Sequence, residues 1–307
     1  MYGNRDASGG GTGPAGGSHP TTGKTAREGR RKITAPALQA RKGGSPIAMV
    51  TAYDYTMARL LDRAGVDIML VGDSLGMVVQ GRTSTIPVTL EEACYHCRAV
   101  ARGAEFAHVV GDMPFMSFQV SPEQAVMSAG QLVKDGMAES VKLEGGEDVA
   151  DHVGRIVRAG IPVMGHVGLT PQSVHALGGY RVQGKGRSAA DRIVADAIAL
   201  EQAGVYAIVL EAMPPDAAAA VTDAVQVPTI GIGAGAGCDG QVLVCYDMLG
   251  MTLGHNPKFA KHFAEIGDQI HTAVEQYVRE VRDGSFPGPE HSYRTNESRE
   301  KKKLAIV

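Results

Sequence analysis

Tryptophan is missing from this chain of 307 residues, and six phenylalanines and nine tyrosines leave it poor in aromatic side chains. Cysteine is scarce as well: four in a chain of this length do not make the framework of a small secreted disulfide protein. No apolar run approaches the roughly 18 residues that a membrane-spanning helix needs, and the first residues lack the apolar core of a secretory leader. Neither sign of charge dominates. The 30 basic and 33 acidic side chains give a formal net charge of −3, which offers nucleic acid or an anionic membrane no electrostatic handle. These absences lead us to expect a reduced, cytoplasmic protein with neither nucleic acid nor membrane as partner. The hydrophobic share of 44% is enough for a sizeable core.

Glycine is the residue in excess, with 40 in the chain and nine of them in the first 30 positions. Residues 1–32 read as a glycine-rich, basic segment without apolar periodicity, expected to be a disordered tail. GKT at 23–25 matches the end of a phosphate loop, but Ser18 stands where the earlier glycine is required and no strand precedes it. Residues 294–307, with RTNESREKKK, are expected to form a second solvated tail. Between the two lies the stretch 33–293, expected to be one catalytic domain.

Within it one unit recurs. Eight short apolar, β-branched runs alternate with amphipathic segments: IAMVTAY, DIMLVG, HVVG, SVKL, IPVMGH, YAIVLE, VPTIGIG and QVLVCYD. Apolar character on consecutive positions suits strands buried on both faces of a parallel sheet. Helix signals fill the intervals. Thr89 with Glu92, and Ser121 with Pro122 and Gln124, predict capping boxes. Gly65, Gly160 and Gly204 predict helix ends, and the spacing of Phe259, Phe263, Ile266, Ile270, Val274 and Val281 predicts one long final helix. Eight alternations predict an α/β fold, a (β/α)8 TIM barrel, with an open doubly wound sheet as the alternative.

In such a barrel the chemistry sits where the strands end, and here the strand ends are polar. VGDS brings Asp73 and Ser74, VGDMPF brings Asp112, and VKLEGG brings Lys142 and Glu144 on one face. GHVGLTPQ adds His166, and LEAMP adds Glu211. Four carboxylates on one mouth need positive compensation. Oxygen donors favour Mg²⁺ over Zn²⁺, and Mg²⁺ uses one or two carboxylates while keeping places for substrate oxygens. Asp73 and Asp112, each following a Val-Gly pair, are the best ligand candidates. Taken singly, any of these carboxylates could equally cap a helix or pair with an arginine.

Two other signals are weaker. Cys94 and Cys97 form a CxxC around His96, but the cap at Thr89 puts them inside a helix, where buried cysteines are expected. The run GIGAGAG at 231–237 loosely fits a dinucleotide pattern but comes late, without the acidic residue that should follow. A glycine loop that admits a ligand's or neighbouring loop's close approach is expected there instead.

The segments MVTAYDY, LVGDSLGMVVQG, DMPF, VKLEGGE, GIPVMGHVGLTPQSV, GGYRVQGKG, LEAMP, PTIGIGAGAGCDGQVLVCYDMLG and FPGPEHSY carry a resemblance. Over 33–293 the chain resembles the ketopantoate hydroxymethyltransferase family. The resemblance implies a barrel enzyme of pantothenate synthesis with one Mg²⁺ per subunit, self-associated as a homodecamer of two five-membered rings. It implies transfer of a one-carbon unit from 5,10-methylenetetrahydrofolate to 3-methyl-2-oxobutanoate, giving 2-dehydropantoate. By the same resemblance Asp73 and Asp112 hold the metal with Glu144 as the third acidic residue near it. Asp73, Ser74, Asp112 and Lys142 meet the substrate, and Glu211 accepts the proton.

Those residues suit that chemistry. A 2-oxo acid can chelate Mg²⁺ through its carboxylate and keto oxygens, which lowers the barrier to losing the C3 proton as an enolate. Glu211 is the expected base and Lys142 the expected point charge for the substrate carboxylate. Glu144 and His166 are expected in the shell behind the metal, with His166 as the next candidate base. Two alternatives stand beside this reading. One is a related Mg²⁺-dependent barrel of the phosphoenolpyruvate mutase and isocitrate lyase group, although the KKCGH stretch of isocitrate lyases is absent. The other is a non-catalytic barrel serving as an assembly module.

Overall fold

A computed structural model describes residues 29–293 except 255, and there the eight apolar runs are eight strands. They are β1 (Ile47–Thr51), β2 (Ile68–Val71), β3 (His108–Asp112), β4 (Ser140–Lys142), β5 (Val163–Gly168), β6 (Ala207–Glu211), β7 (Thr229–Ile232) and β8 (Gly240–Leu243). Each pairs in parallel with the next, and β8 pairs in parallel with β1, closing a barrel. The expected (β/α)8 fold is the observed one. The tails expected at 1–32 and 294–307 fall outside the described residues except at 29–32.

Helices alternate with the strands. A short α1 (Ala35–Gln39) precedes β1, and α2 (Tyr55–Ala64) and the single turn α3 (Leu75–Val78) flank β2. Around β3 lie α4 (Leu90–Gly103) and α5 (Pro122–Lys134), and α6 (Ala150–Arg158) follows β4. Between β5 and β6 run α7 (Val174–Leu177) and α8 (Arg187–Ala203), then α9 (Pro215–Ala224), and after β8 come α10 (Cys245–Met248) and α11 (Ile266–Asp283).

Local signals account for several boundaries. Thr89 and Glu92 exchange both hydrogen bonds of a capping box. Only half of the box predicted at α5 forms: Ser121 Oγ accepts from the Gln124 N–H, but the Gln124 side chain turns to the N–H of Val120. Gly65 and Gly204 end α2 and α8 in the left-handed conformation that a Cβ disfavours.

The final helix is shorter than its spacing predicts. It begins at Ile266, and Phe259 and Phe263 lie before it. The backbone N–H groups of Phe263, Ile266 and Gly267 donate to the carbonyls of Met248, Leu249 and Gly250, so tertiary partners replace the helical ones there. Phe259 instead lays its ring on Gly233, where a Cβ would come within 2.7 Å of the ring. The 231–237 run thus makes room for a neighbouring loop, one of the two uses expected of it.

Alternating strand residues serve two cores. Ile47, Met49, Ile68, Val110 and Val209 pack inside the barrel with Ala35 and Leu38 of α1. Val71, Val109, Val141 and Leu210 face outward against the helices. Helix α1 lies at the end where strands begin: the Ile33 N–H donates to Phe106 O, Lys32 Nζ reaches Ala107 O, and Arg41 pairs with Asp67. A buried chain from His108 Nε2 through Ser140 Oγ to Tyr206 OH, at 2.9 and 3.0 Å, joins β3, β4 and the residue just before β6 at this end. Cys94 and Cys97 are buried in α4, as expected of helical cysteines. Cys97 Sγ stands against Gly111, where an added Cβ would meet it and Ala138 at 3.2 Å, so the packing just before Asp112 is tight. By contrast α11 has no buried residue, and Ile270, Val274, Tyr277 and Val281 are about half exposed along it.

Candidate active site

The opposite end of the barrel gathers the polar strand ends. Register sets the first contact: Asp112 and Lys142 are partners at the tips of β3 and β4, and Lys142 Nζ lies 2.8 Å from Asp112 Oδ1. Asp73 follows β2 by two residues, and its backbone N–H donates to Asp112 Oδ2 at 3.1 Å. Glu144, two residues beyond Lys142, shares its face. Its Oε1 is 3.5 Å from His166 Nδ1, and its Oε2 accepts the N–H of Gln172 at 3.1 Å. His166 Nε2 lies 3.3 Å from Glu211 Oε2 at the tip of β6, without the alignment of a hydrogen bond. Ser74 lies beside this group, its hydroxyl 2.8 Å from that of Tyr53. Every residue singled out from the sequence is therefore at this one end.

Burial decides the electrostatics. Asp73, Asp112, Lys142, Glu144 and His166 are all buried. Burial, then the charges of Asp112 and Glu144, push the Asp73 carboxyl up to about 8. Asp112 is raised too, chiefly by burial, against the pull of Lys142. Burial pushes Lys142 down, but the three carboxylates around it prevail and hold it charged. Burial likewise raises Glu144, yet His166, Lys142 and the Gln172 N–H bring it below the usual range. For His166, burial and Lys142 oppose the imidazolium. Glu144 and Glu211 outweigh them and lift it to about 9. Its Nδ1 lies between Lys142 Nζ at 3.3 Å and Glu144 Oε1 at 3.5 Å, and its Nε2 faces Glu211.

Four carboxylates meet two cations, so two negative charges stand unmatched when all are ionised. The donor set suits a hard divalent cation: the surplus charge sits on buried carboxylate oxygens, and Asp73 Oδ1 is engaged by none of the bonds described above. Among the described residues no three His, Cys, Asp or Glu side chains form a metal-holding group. A cation here would take few protein ligands and draw the rest from water and substrate, as Mg²⁺ does. Glu144 has both oxygens directed to Gln172 and His166, which makes it a neighbour of such a cation better than a ligand.

Several residues here were not singled out from the sequence. Gln172, in the turn after β5, donates from Nε2 to Asp73 Oδ2 at 3.0 Å and to Met113 O at 2.9 Å. Gln119 donates to its Oε1 at 3.2 Å. Tyr180 places its hydroxyl 3.9 Å from Met77 Sδ, and its acidity is depressed first by burial, then by the charges of Asp73, Glu211 and Glu144. Their one sequence signal is position, in loops that follow a strand bearing a titratable tip.

Residues 32–289 match the family described as ketopantoate hydroxymethyltransferase. A protein of Syntrophus aciditrophicus named 3-methyl-2-oxobutanoate hydroxymethyltransferase is 54% identical over 264 residues, covering 86% of this chain and 97% of its own. Proteins of the same name from an Anaeromyxobacter species and Moorella thermoacetica are 56% and 54% identical, covering 87% and 86% of this chain and 89% and 99% of their own. Among solved structures, a phosphonopyruvate hydrolase superposes with a TM-score of 0.57 at 14% identity, covering 90% of this chain and 98% of its own. A 2,3-dimethylmalate lyase of the phosphoenolpyruvate mutase and isocitrate lyase superfamily gives 0.54 at 16% identity, covering 90% and 100%. At those identities the likeness is one of fold alone.

Proposed function

The chain belongs to the ketopantoate hydroxymethyltransferase family and forms ketopantoate by hydroxymethyl transfer to 3-methyl-2-oxobutanoate, and within that reaction we propose that Glu211 is the base and the buried pair Asp73–Asp112 the seat of a divalent cation. The arrangement that supports this is Glu211 facing the His166 imidazolium on one side of the mouth, with both aspartates on the other. Mg²⁺ is the proposed ion, one per subunit, and 5,10-methylenetetrahydrofolate the proposed one-carbon donor. A phosphonopyruvate hydrolase of like fold is known in complex with oxalate and Mg²⁺, and oxalate is itself a small two-oxygen chelator. When bound, the cation would draw charge from the substrate's keto group and acidify C3.

The protein's own groups do the rest. Lys142 spends one of its three donors on Asp112 and has others for the substrate carboxylate, with the Ser74 hydroxyl beside it. Glu211 takes the C3 proton. The neighbouring His166 Nε2, 3.3 Å away, holds the carboxylate in place. Water cleaves the two C–N bonds of the folate's methylene bridge, leaving tetrahydrofolate and a one-carbon unit at the oxidation level of formaldehyde. The carbon nucleophile attacks that carbon, and the new alkoxide takes up a proton to become the hydroxyl of the hydroxymethyl group. Tyr180 and Met77, both exposed, lie at the rim of the same mouth.

The proposed setting is cytoplasmic; among the described residues no helix is long and apolar enough to cross a membrane. Self-association, proposed as the homodecamer, is supported by the half-exposed apolar row on α11. The test of the base is exchange of the substrate's C3 proton with deuterated water, without folate, followed by NMR. Wild type should exchange it, and Glu211→Gln should slow exchange by about 10²–10⁴ while still binding the 2-oxo acid. Exchange at the wild-type rate in Glu211→Gln would assign the base elsewhere.

A further inference from the structure

We propose that Gln172 is a positioning residue for Asp73, fixing which oxygen of that carboxylate is left to the cation; this rests on Asp73 being a cation ligand. The amide of Gln172 has one possible orientation. The carbonyl of Met113, 2.9 Å away, can only accept, so the atom facing it is Nε2. The second hydrogen of Nε2 then points to Asp73 Oδ2 at 3.0 Å. The other end agrees, since Oε1 receives a hydrogen from Gln119 Nε2, and Gln119 Oε1 in turn accepts the N–H of Phe118. Gln172 is buried, so water does not compete for these bonds.

Asp73 thus has Oδ2 committed to Gln172, and Asp112 has Oδ2 committed to the Asp73 N–H. Each aspartate keeps Oδ1 outside these bonds, that of Asp112 lying 2.8 Å from the Lys142 ammonium. The backbone N–H of Gln172 meanwhile donates to Glu144 Oε2. One residue therefore ties down the carboxylates beyond β2 and β4, the first through its side chain and the second through its backbone. A side-chain substitution at 172 releases Asp73 and leaves the hold on Glu144.

The test is binding of Mn²⁺ to the cation-free protein, followed by electron paramagnetic resonance, with thermal melting in parallel. Gln172→Met keeps the length of the side chain and removes both hydrogens. It should weaken Mn²⁺ binding about 10–100-fold, the usual effect of losing a partner that orients a ligand. A purely structural role would lower the melting temperature and leave the affinity unchanged, and that result overturns the proposal. If Gln172→Met does not fold, Gln119→Leu decides: it removes the hydrogen that anchors Gln172 Oε1 and so loosens the amide that holds Asp73. A loss of affinity is expected, with unchanged affinity overturning the proposal. Wild type that binds no Mn²⁺ would remove the cation assignment itself and this inference with it. Tight wild-type binding with an unaffected Gln172→Met removes only the inference.

Discussion

The Nε2 atom of His166 stands 3.3 Å from Oε2 of Glu211, which joins the buried charges of the site to the carboxylate proposed as base. An imidazolium has no lone pair with which to accept a proton. Raised to about 9 by its two glutamates against burial, His166 is suited to steadying Glu211 and unsuited to replacing it. His166→Gln keeps a donor on that side but loses the charge. Its C3 proton exchange should be slower than wild type near neutral pH, and wild-type exchange should decline once the pH passes about 9. A variant that exchanges as fast as wild type with the same pH profile would dissociate the imidazolium from the chemistry.

Asp73 and His166 set the pH dependence of stability in the cation-free protein. The Asp73 carboxyl goes from 3.8 to about 8 on folding, so its contribution is whole below 3.8 and is lost as the pH rises through 8. The His166 contribution is whole below 6.5 and is lost as the pH rises through about 9. The urea midpoint should therefore fall from mildly acidic to alkaline pH, and added Mg²⁺ should restore most at the alkaline end, where Asp73 is ionised. Asp73→Asn should flatten the first part of that decline. A midpoint that rises with pH across this window would contradict both signs.

Chelation should abolish turnover, and Mg²⁺ or Mn²⁺ should restore it. Asp73→Ala and Asp112→Ala should lose calorimetrically measured cation binding while keeping the circular dichroism of the folded barrel, since both side chains lie at the mouth and outside the two apolar cores. Full activity in excess chelator would rule the cation out.

Lys142 is buried between carboxylates, and its loss strands Asp112. Lys142→Met should lose about 3–5 kcal/mol of stability at pH 7, the usual result of leaving one member of a buried pair. The loss should shrink on acidification, as Asp112 takes a proton. In the enzyme assay the KM for the 2-oxo acid should rise. A melting temperature and KM both equal to wild type would mean the pair matters to neither.

The apolar row on α11 gives the oligomer a direct check. Val274→Glu puts a charge in the middle of a face that the isolated chain leaves open. Light scattering should then report a smaller assembly than wild type. Stability of the separated chain should change by no more than about 0.5 kcal/mol, as for other exposed positions. Wild-type mass for the variant would place the subunit contact elsewhere.

How much of this was legible in the sequence varies with how local its cause is. All eight strands could be read because buried parallel strands are apolar on consecutive residues, and the cap at Thr89 because it needs only Glu92. The start of α11 could not, since Phe263 and Ile266 give their N–H groups to residues 248 and 249. The charged strand tips were readable from their types and places, down to the shared face of Lys142 and Glu144. Gln172 was not: a glutamine in a loop has no periodicity, and its partners Asp73 and Met113 lie 99 and 59 residues away.

Helix α1 and the packed interior have a consequence for traffic. Ala35 and Leu38 shut the end where strands begin, and the side chains above them fill the bore. Whatever reaches the buried charges must come and go by the opposite rim. With the folate proposed above as donor, ordered binding is the expected outcome. The 2-oxo acid should enter before the folate and the hydroxymethylated product should leave after it, which initial-rate and product-inhibition kinetics would check. A short helix at the far end of the barrel would then set the order of events at the mouth.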